Sequence, residues 1–324
     1  MQRRSFAAGL ASSALATWAL PAAAAQTVYP SKPVRVVVPY PAGGPNDMIA
    51  RLLAQPLGDR LHEPFVIDNR PGATGLTGTE QVAKAPADGY TLLVSASVHV
   101  IYPALFRKVP FDPLKDFAPI SLLGRAPLVM SVHPSLKVST VKELIAYAKA
   151  APTPLQYASS GNGSATHLAA ESFKTMANVA MQQITYKGSA PAMNDVVAGH
   201  VQVIFDSVPS SMPFIKSGRL RPLGVTSAQR SSAAPELPSI SEAVPGYDIS
   251  TWYGLWAPAG TPADIVAALS SQVQAVLKTS DMRRRLQELG IEPVGSSPAE
   301  FAAYQAAEAP KWARIVKASN AQLD

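Results

Sequence analysis

The hydrophobic positions near the start of the chain form short runs separated by stretches with helical spacing. Residues 34–38, 65–67 and 91–94 are continuous or nearly continuous runs of β-type residues. Helical stretches lie between them, at residues 48–61 and 79–85. Apolar strands that alternate with helices are typical of a parallel sheet covered on both faces. The pattern therefore predicts an α/β unit.

A second set of alternating elements follows, which predicts a second α/β unit. Its strands are expected at residues 155–158, 183–186, 201–205 and 220–226, with helices that include 141–150 and 166–176. Two longer extended segments, 120–132 and 248–258, lie at the boundaries between the units. They indicate that the chain crosses twice between two lobes. The expected division is lobe 1 at 26–125, lobe 2 at 126–248, and 249–324 as the crossover strand and C-terminal helices that complete lobe 1.

Two C-terminal helices have clear start signals. Thr261 is a predicted N-cap with Pro262 at the first helical position. The second helix has the same order of N-cap and proline, with Ser297 followed by Pro298, and Glu300 completes a capping box with Ser297.

The first 25 residues have the pattern of an export signal. Arg3 and Arg4 precede a mildly apolar stretch at 6–20, and Ala23 and Ala25 form a small-residue cleavage site. The Arg-Arg-Ser-Phe run fits a twin-arginine signal as well as an ordinary secretory one. An uncleaved anchor is the alternative, but the stretch is shorter than the ~20 residues that a span needs. Cleavage would leave 299 residues and, without the two arginines, lower the formal net charge from +6 to +4. We expect a soluble exported protein.

Composition excludes several classes of protein. Charged residues make up 15% of the chain, against about 25% in typical soluble proteins. A coiled coil and a charge-rich nucleic-acid binder are therefore excluded. The absence of cysteine excludes disulfides, thiolate metal sites and cysteine catalysis.

Two glycine-rich turns share one design, in which a strand leads through the turn into a helix N-terminus. The first turn (residues 40–47) consists of Tyr40, Pro41, Ala42, Gly43, Gly44, Pro45, Asn46 and Asp47. The second turn (residues 159–167) consists of Ser159, Ser160, Gly161, Asn162, Gly163, Ser164, Ala165, Thr166 and His167. Such turns let backbone N–H groups converge on a ligand, and the helix N-terminus adds about half a positive charge. If the two units face each other, an anion with two negative groups could bridge the lobes.

Several polar residues of the turns have two interpretations. Asp47 either caps its own helix or orients a water or a ligand amine. The hydroxyls of Ser160, Ser164 and Thr166 either donate to a carboxylate, or one of them caps the helix while the others are solvated. Both can hold at once, since one helix start has several donors. His167 is either a ligand contact or a structural histidine.

Two further candidates follow strands, where open sheets bind ligands. Lys187 is a candidate for ligand charge, and Asp206 lies at the end of the strand at 201–205. Trp252, Tyr253 and Trp256 are interpreted as hinge or core packing and not as a binding platform.

Motifs for catalysis and cofactors do not appear. Gly161–Ala165 lacks the last glycine of a nucleophile elbow, and Thr166 stands where a dinucleotide fingerprint needs its third glycine. The five histidines are scattered without metal-ligand spacing. We therefore predict no enzyme, no metal and no cofactor.

Short motifs along the whole mature chain resemble the Bug-type extracytoplasmic solute receptors of the tripartite tricarboxylate transporter system. Each motif alone is weak evidence, but the set of motifs in this order is specific. They lie at residues 29–35, 38–44 with Asp47, 69–73, 88–93, 157–164 with His167 and Leu168, 186–188, 205–206, 257–262 and 311–312. This sequence departs from the family at Ala42, where a proline is frequent, and Pro45, Asn46 and Asn162 occupy variable positions. These departures leave the identity of the ligand open.

The resemblance implies a type II periplasmic binding protein with two α/β lobes, each a mixed and mainly parallel sheet, and two crossover strands as a hinge. It implies a small carboxylate, often a dicarboxylate, held between the two turns, with Gly188 and Asp206 lining lobe 2. The implied partners are this ligand and the permease subunits of a tripartite tricarboxylate transporter, and the receptor is expected to be a monomer. A sensor that docks on a receptor kinase and a secreted hydrolase remain as alternatives. A nucleic-acid module would need a basic stripe, and the export signal argues against it.

Overall fold

The computed structural model describes residues 29–186, 188–319 and 321, so the predicted signal peptide and Lys187 lie outside the described residues. The strands are β1 Val34–Val38, β2 Phe65–Asn69, β3 Thr91–Ala96, β4 Phe117–Val132, β5 Leu155–Ser159, β6 Met181–Thr185, β7 Val203–Ser207, β8 Arg221–Val225, β9 Ser250–Pro258 and β10 Glu292–Pro293. The α-helices are α1 Pro45–Leu61, α2 Leu76–Ala83, α3 Val98–Leu105, α4 Val141–Ala150, α5 Ala165–Ala177, α6 Ser189–Val197, α7 Val208–Lys216, α8 Ala263–Leu277, α9 Ser280–Glu288 and α10 Pro298–Ser319.

The strands form two parallel sets joined by long antiparallel strands. Their order is β2-β1-β3-β9-β4-β7-β5-β6, and β8 and β10 also pair with β4. β1 is parallel to β2 and β3, and β5 is parallel to β6 and β7. Each set alternates with helices along the chain, because its apolar strands need cover on both faces. The predicted α/β class with mixed strand directions and flanking helices is confirmed, and the two parallel sets belong to one continuous ten-stranded sheet.

The two crossover strands are present. β4 is 16 residues long; its first part, to Pro127, pairs with β9, and its last part, from Leu128, pairs with β7. Ser250, the first residue of β9, pairs with Pro127. The expected lobe boundaries therefore fall within β4 and just before β9, and they stay a prediction.

The aromatic residues of β9 are buried in the core. Trp252 and Trp256 are fully buried, and Tyr253 is 5% exposed. The indole N–H of Trp252 donates to Glu308 and that of Trp256 donates to Gln305, both on α10 and both over 3.0 Å. These contacts agree with the packing interpretation.

The start of one C-terminal helix differs from the prediction and the other agrees. α8 begins at Ala263, so Pro262 and not Thr261 is its N-cap; the Thr261 hydroxyl instead donates to the carbonyl of Pro258 over 2.8 Å. The capping box of α10 is confirmed, because the N–H of Ser297 donates to Glu300 and the N–H of Glu300 donates back to the Ser297 hydroxyl. Within the described ranges, no helix combines the length and the apolar character needed to cross a membrane.

Candidate functional site

The strand register turns the carboxyl ends of the two parallel sets toward each other. Ala96, the last residue of β3, pairs with Tyr253, which pairs in turn with Gly124 of β4. Ser207, the last residue of β7, pairs with Leu128 of β4. β3 and β7 thus approach each other along β4 from opposite directions and end four residues apart. At ~3.4 Å per residue this separation is roughly 14 Å along β4.

Helix N-termini accumulate on both sides of this gap. The strands β1, β2 and β3 are followed by α1, α2 and α3, and β5, β6 and β7 by α5, α6 and α7. Each of these helices therefore begins at a carboxyl end that faces the gap. A helix N-terminus has unpaired N–H groups and about half a positive charge. The first turn opens α1 and the second turn opens α5, so both lie on the gap.

The Asp47 carboxylate is bonded within its own region. Its Oδ2 accepts from the N–H of Gly43 over 2.8 Å and from Arg51 Nε over 2.9 Å, and its Oδ1 accepts from Asn69 Nδ2 over 3.0 Å. Burial raises the pKa of Asp47, but the hydrogen bonds from Arg51, Gly43 and Asn69 outweigh it and hold the pKa below its ordinary value. The carboxylate accepts from no backbone N–H group within α1, so it fixes the turn before the helix and does not cap it, and Arg51 already balances its negative charge.

The first turn keeps backbone donors for another partner. The N–H groups of Gly44, Asn46 and Asp47 make no hydrogen bond to the described residues. Gly43 has a φ of +84°, and a Cβ added to it would meet no protein atom within 4 Å. Pro41, Ala42 and Gly43 are exposed, whereas Asn46 is buried. The backbone of this turn therefore borders open space.

The hydroxyls of the second turn form one cluster with the helix start. Ser164 is the N-cap of α5 and accepts from the N–H of His167 over 3.3 Å. The Thr166 hydroxyl lies 3.0 Å from that of Ser160 and 2.9 Å from that of Ser164. It also accepts from the N–H of Ser160 over 2.9 Å. Ser164 therefore caps α5, whereas the hydroxyls of Ser160 and Thr166 bond within the cluster in this conformation.

His167 supports the second turn as a neutral ring. It is 3% exposed, and its Nδ1 accepts from the N–H of Gly163 over 3.1 Å. An accepting Nδ1 places the ring proton on Nε2. Burial lowers the pKa of His167 and favours this neutral state.

Four backbone donors of the second turn have no partner among the described residues. They are the N–H groups of Gly161, Asn162, Ala165 and Thr166. No hydrogen bond joins the first turn to the second within the described part of the chain. Each turn therefore presents unpaired N–H groups to the gap, which is the arrangement that favours an anion.

Gly188 and Asp206 lie beside the second turn. The N–H of Gly188 donates to the carbonyl of Ser160 over 3.1 Å. The Asp206 carboxylate accepts from the hydroxyl of Ser189, from the N–H of Ser207 over 2.7 Å and from the hydroxyl of Ser210 over 3.1 Å. Asp206 is 4% exposed, and burial raises its pKa. Its contacts are all to neighbouring serines.

A third glycine-bounded loop, outside the two predicted turns, reaches the same edge of the first set. Gly72, Ala73, Thr74 and Gly75 follow β2 and all have positive φ, of 145°, 46°, 55° and 93°. The carbonyl of Thr74 accepts from the hydroxyl of Tyr102 over 3.2 Å and from that of Tyr40 over 3.4 Å. The available signal was a Gly-x-x-Gly run directly after a strand. The left-handed conformation of two non-glycine residues is strain of the kind found at binding sites.

Comparison with known proteins identifies the family. The model of the family described as "Tripartite tricarboxylate transporter family receptor" matches residues 49–321. Protein BugT of Bordetella pertussis is 35% identical over 312 residues, which cover 95% of this chain and 96% of that protein. The chain therefore belongs to the tripartite tricarboxylate transporter receptor family.

Solved structures share the fold. Rpa4515 of R. palustris, solved with adipate, is 40% identical with a TM-score of 0.76; the match covers 91% of this chain and all of that one. MatC of Rhodopseudomonas palustris, solved with bound malate, is 31% identical with a TM-score of 0.71 and coverages of 89% and 100%. These neighbours confirm the predicted periplasmic binding protein fold. The family consists of periplasmic solute-binding receptors.

Proposed function

We propose that this receptor traps one small carboxylate, of the dicarboxylate class, between its first and second turns. The observation that carries the proposal is the facing pair of turns, each with unpaired backbone N–H groups at a helix N-terminus. A dicarboxylate has one negative group for each turn. Two structural neighbours were solved with the dicarboxylates adipate and malate, which supports this class.

The strength of such contacts is sufficient for a transport receptor. A helix N-terminus contributes up to ~2 kcal/mol to a partly buried anion, and each hydrogen bond to a charged group about 1.5–3 kcal/mol. Micromolar affinity needs about 8 kcal/mol. A few N–H groups in each turn therefore supply contributions of the magnitude that this affinity requires, without a paired basic side chain.

The serine contacts support a binding role without catalysis. A serine nucleophile needs a base within hydrogen-bond reach. The Nδ1 of His167 accepts from the backbone of Gly163, while the hydroxyls of Ser160 and Ser164 bond to Thr166 or to backbone. The nearby histidine is therefore engaged as a support for the turn.

We place the mature protein in the periplasm after removal of residues 1–25 and expect it to act as a monomer. Closure of two lobes requires a ligand that binds the closed state more tightly than the open one. The closed receptor then presents its ligand to the permease subunits of a tripartite tricarboxylate transporter.

Isothermal titration calorimetry of residues 26–324 tests the proposed function. We expect adipate or malate to bind with a micromolar dissociation constant. Hexanoate, which offers a negative group to one turn only, should bind at least about tenfold more weakly, since it loses one set of charge-assisted bonds. Equal affinity for hexanoate and adipate would contradict the proposal that the ligand bridges the two turns. If none of the carboxylates tested binds, the proposed function is wrong.

A further inference from the structure

The last helix, α10, packs against elements of both parallel sets on one face of the sheet. A single hydrophobic cluster on this face includes Ile101 of α3, Phe173 of α5 and Trp312 of α10. On the other face the described core is divided into separate clusters, around Leu53 of α1 in the first set and around Met193 of α6 in the second. α10 therefore lies across the junction between the two sets.

Two hydrogen bonds fix α10 to the part of β9 that pairs with the first set. The indole N–H of Trp256 donates to Gln305 and that of Trp252 donates to Glu308. Trp256 itself pairs with β3. The Glu308 carboxylate is 6% exposed and also accepts from the indole N–H of Trp312 over 2.8 Å. α10 is therefore expected to move with the first set.

The residues just before β9 are fixed to the second set instead. The hydroxyl of Tyr247 donates to the carbonyl of Ala169 on α5 over 2.9 Å. The N–H of Ile249 donates to the carbonyl of Thr226, directly after β8, over 2.9 Å. Asp248 lies between these two anchored residues and is therefore expected to move with the second set.

Lys311 of α10 reaches across the junction to Asp248. Its ammonium group donates to the backbone carbonyl of Asp248 over 3.2 Å and lies 3.9 Å from the Asp248 carboxylate. It is also paired with Glu308 on its own helix. The Lys311 side chain is 25% exposed, so solvent screens these contacts only in part. Lys311 thus joins a helix of the first set to a segment of the second, and it belongs to the family-like motif at 311–312.

A second polar contact joins the two sets at β10. The Glu292 carboxylate accepts from the N–H of Ser232 over 2.8 Å. Glu292 pairs with Arg125 in the part of β4 that also pairs with β9. Ala234, two residues after Ser232, packs in a core cluster of the second set with Val225. This contact therefore also crosses from one set to the other.

The packing beside Lys311 leaves room for movement. A cleft of about 400 Å³ lies between α5 and the last turns of α10, with Lys311 and Asp248 in its lining. Its apolar walls include Met176 of α5 and Ile315 of α10. Because α5 begins at the second turn, a shift of α5 relative to α10 would move the second turn relative to the first.

We propose that Lys311 restrains closure of the receptor and thereby sets its affinity for the ligand. This inference rests on the proposed function and makes Lys311 a positioning residue. No described hydrogen bond joins the first turn to the second in the conformation that contains the contact of Lys311 with Asp248. Bending at residues 250–253 changes the distance between α10 and Asp248, because they are fixed on opposite sides of that segment. Closure therefore weakens the contact, which lowers the population of the closed state and the apparent affinity.

The substitution Lys311→Met tests the proposal by removing the ammonium group and keeping an unbranched side chain. Calorimetric titration of the mature protein with adipate should give a dissociation constant about three- to tenfold lower than in the wild type, since more molecules can close. A lysine that bound the ligand carboxylate would give the opposite change. Lys317→Met is the matched control, because it removes the same charge from an exposed position on α10. It should leave the dissociation constant within about twofold of the wild-type value.

Glu292→Ala is the second variant, in case the loss of Lys311 prevents folding by leaving the buried Glu308 without its cation. It breaks the contact with Ser232 and leaves the α10 contacts intact. If contacts between the sets restrain closure, it should also lower the dissociation constant for adipate.

A distance measurement tests the same proposal without a ligand. The chain has no cysteine, so spin labels can be attached through Gln55→Cys on α1 and Asn194→Cys on α6. Both positions are exposed and lie on the face where the core is divided. Double electron–electron resonance without adipate should show a larger fraction of short distances in Lys311→Met than in the wild type or Lys317→Met.

The two measurements together decide the role of Lys311. An unchanged dissociation constant with an unchanged distance distribution would overturn the proposal. Weaker adipate binding by folded Lys311→Met would also overturn it, since the lysine would then support the bound state. If the wild type binds no carboxylate, the proposed function fails and the label distances alone decide whether Lys311 restrains closure.

Discussion

At the scale of single residues, Gly43 offers a direct test of the first turn. Its φ is +84° and the space beside it is open. In Gly43→Leu we expect adipate affinity to fall more than tenfold, because the side chain would occupy the space above the donor N–H groups. The left-handed conformation should also cost about 1–2 kcal/mol of folding free energy. Calorimetry measures the first effect and urea unfolding the second.

Gly218 provides the matched control for that prediction. It has a φ of +70°, its added Cβ would also meet nothing within 4 Å, and it follows α7 at the opposite edge of the second set. Gly218→Leu should lose similar stability and keep adipate binding. Equal binding by both variants would show that the first turn does not contact the ligand.

Residue types alone did not decide what individual turn side chains do. In the sequence, Asp47 and the three hydroxyl residues fitted either a cap or a ligand contact, and His167 fitted either a ligand contact or a structural histidine. The structure shows Asp47 bonded to Arg51 and Asn69, and His167 bonded to the backbone of Gly163. Arg51 is four residues from Asp47, but Asn69 is 22 residues away. That partner is set by the pairing of β2 with β1, which residue identity does not encode.

At the scale of elements, the packing of α3 against β4 and β9 makes stability depend on pH. His99 of α3 is fully buried, with its ring centroid 4.4 Å from that of Trp256 and 4.6 Å from that of Phe117. Burial lowers the pKa of His99 from 6.5 to about 4. Between pH 4 and pH 6.5, His99 is protonated in the unfolded chain but stays neutral in the folded chain. The free energy of unfolding should therefore fall as pH drops from about 6.5 to 4, by up to about 3 kcal/mol from this group.

The variant His99→Phe isolates this effect. Urea unfolding at pH 7.5 and pH 5.0 should show a smaller difference in the variant than in the wild type, whatever its absolute stability. Asp206 acts in the opposite direction, because its pKa is raised and its contribution to stability falls as pH rises above 3.8. Since Asp206 is present in both proteins, its contribution cancels when the variant is compared with the wild type. His200→Asn, at an exposed position, should keep the wild-type difference. The same pH dependence in His99→Phe as in the wild type would contradict the prediction.

Elements were predicted well where the local pattern was strong. β1 and α4 have the expected bounds, and β5 is one residue longer than expected. α1 begins three residues before the predicted start, because Pro45 fits the first helical position without an N–H to satisfy. The bounds of these elements and the early start of α1 depend on residues within a few positions of each other. β10 has two residues and forms only against β4, so it has no pattern of its own.

At the scale of the whole molecule, the proposed function requires closure. β4 and β9 join the two parallel sets near residues 124–128 and 250–253, so bending there would change the separation of the two turns. Small-angle X-ray scattering should show a smaller radius of gyration for the wild type when adipate is added. The compact-chain estimate for about 300 residues is ~19 Å. Gly43→Leu should show no such change, and an unchanged radius in the saturated wild type would exclude closure.

The sequence alone determined the α/β units, the crossover segments and the two glycine-rich turns. Each depends on local spacing of apolar residues, glycines and caps, whose physical effects act within one strand or helix turn. The tertiary structure alone decided that the turns face each other, that Ser189 meets Asp206 across β5, and that the loop at 72–75 joins the same edge. These relations depend on the pairing register of strands far apart in the chain. That register minimises the free energy of the whole packed sheet, and no short window of sequence contains it.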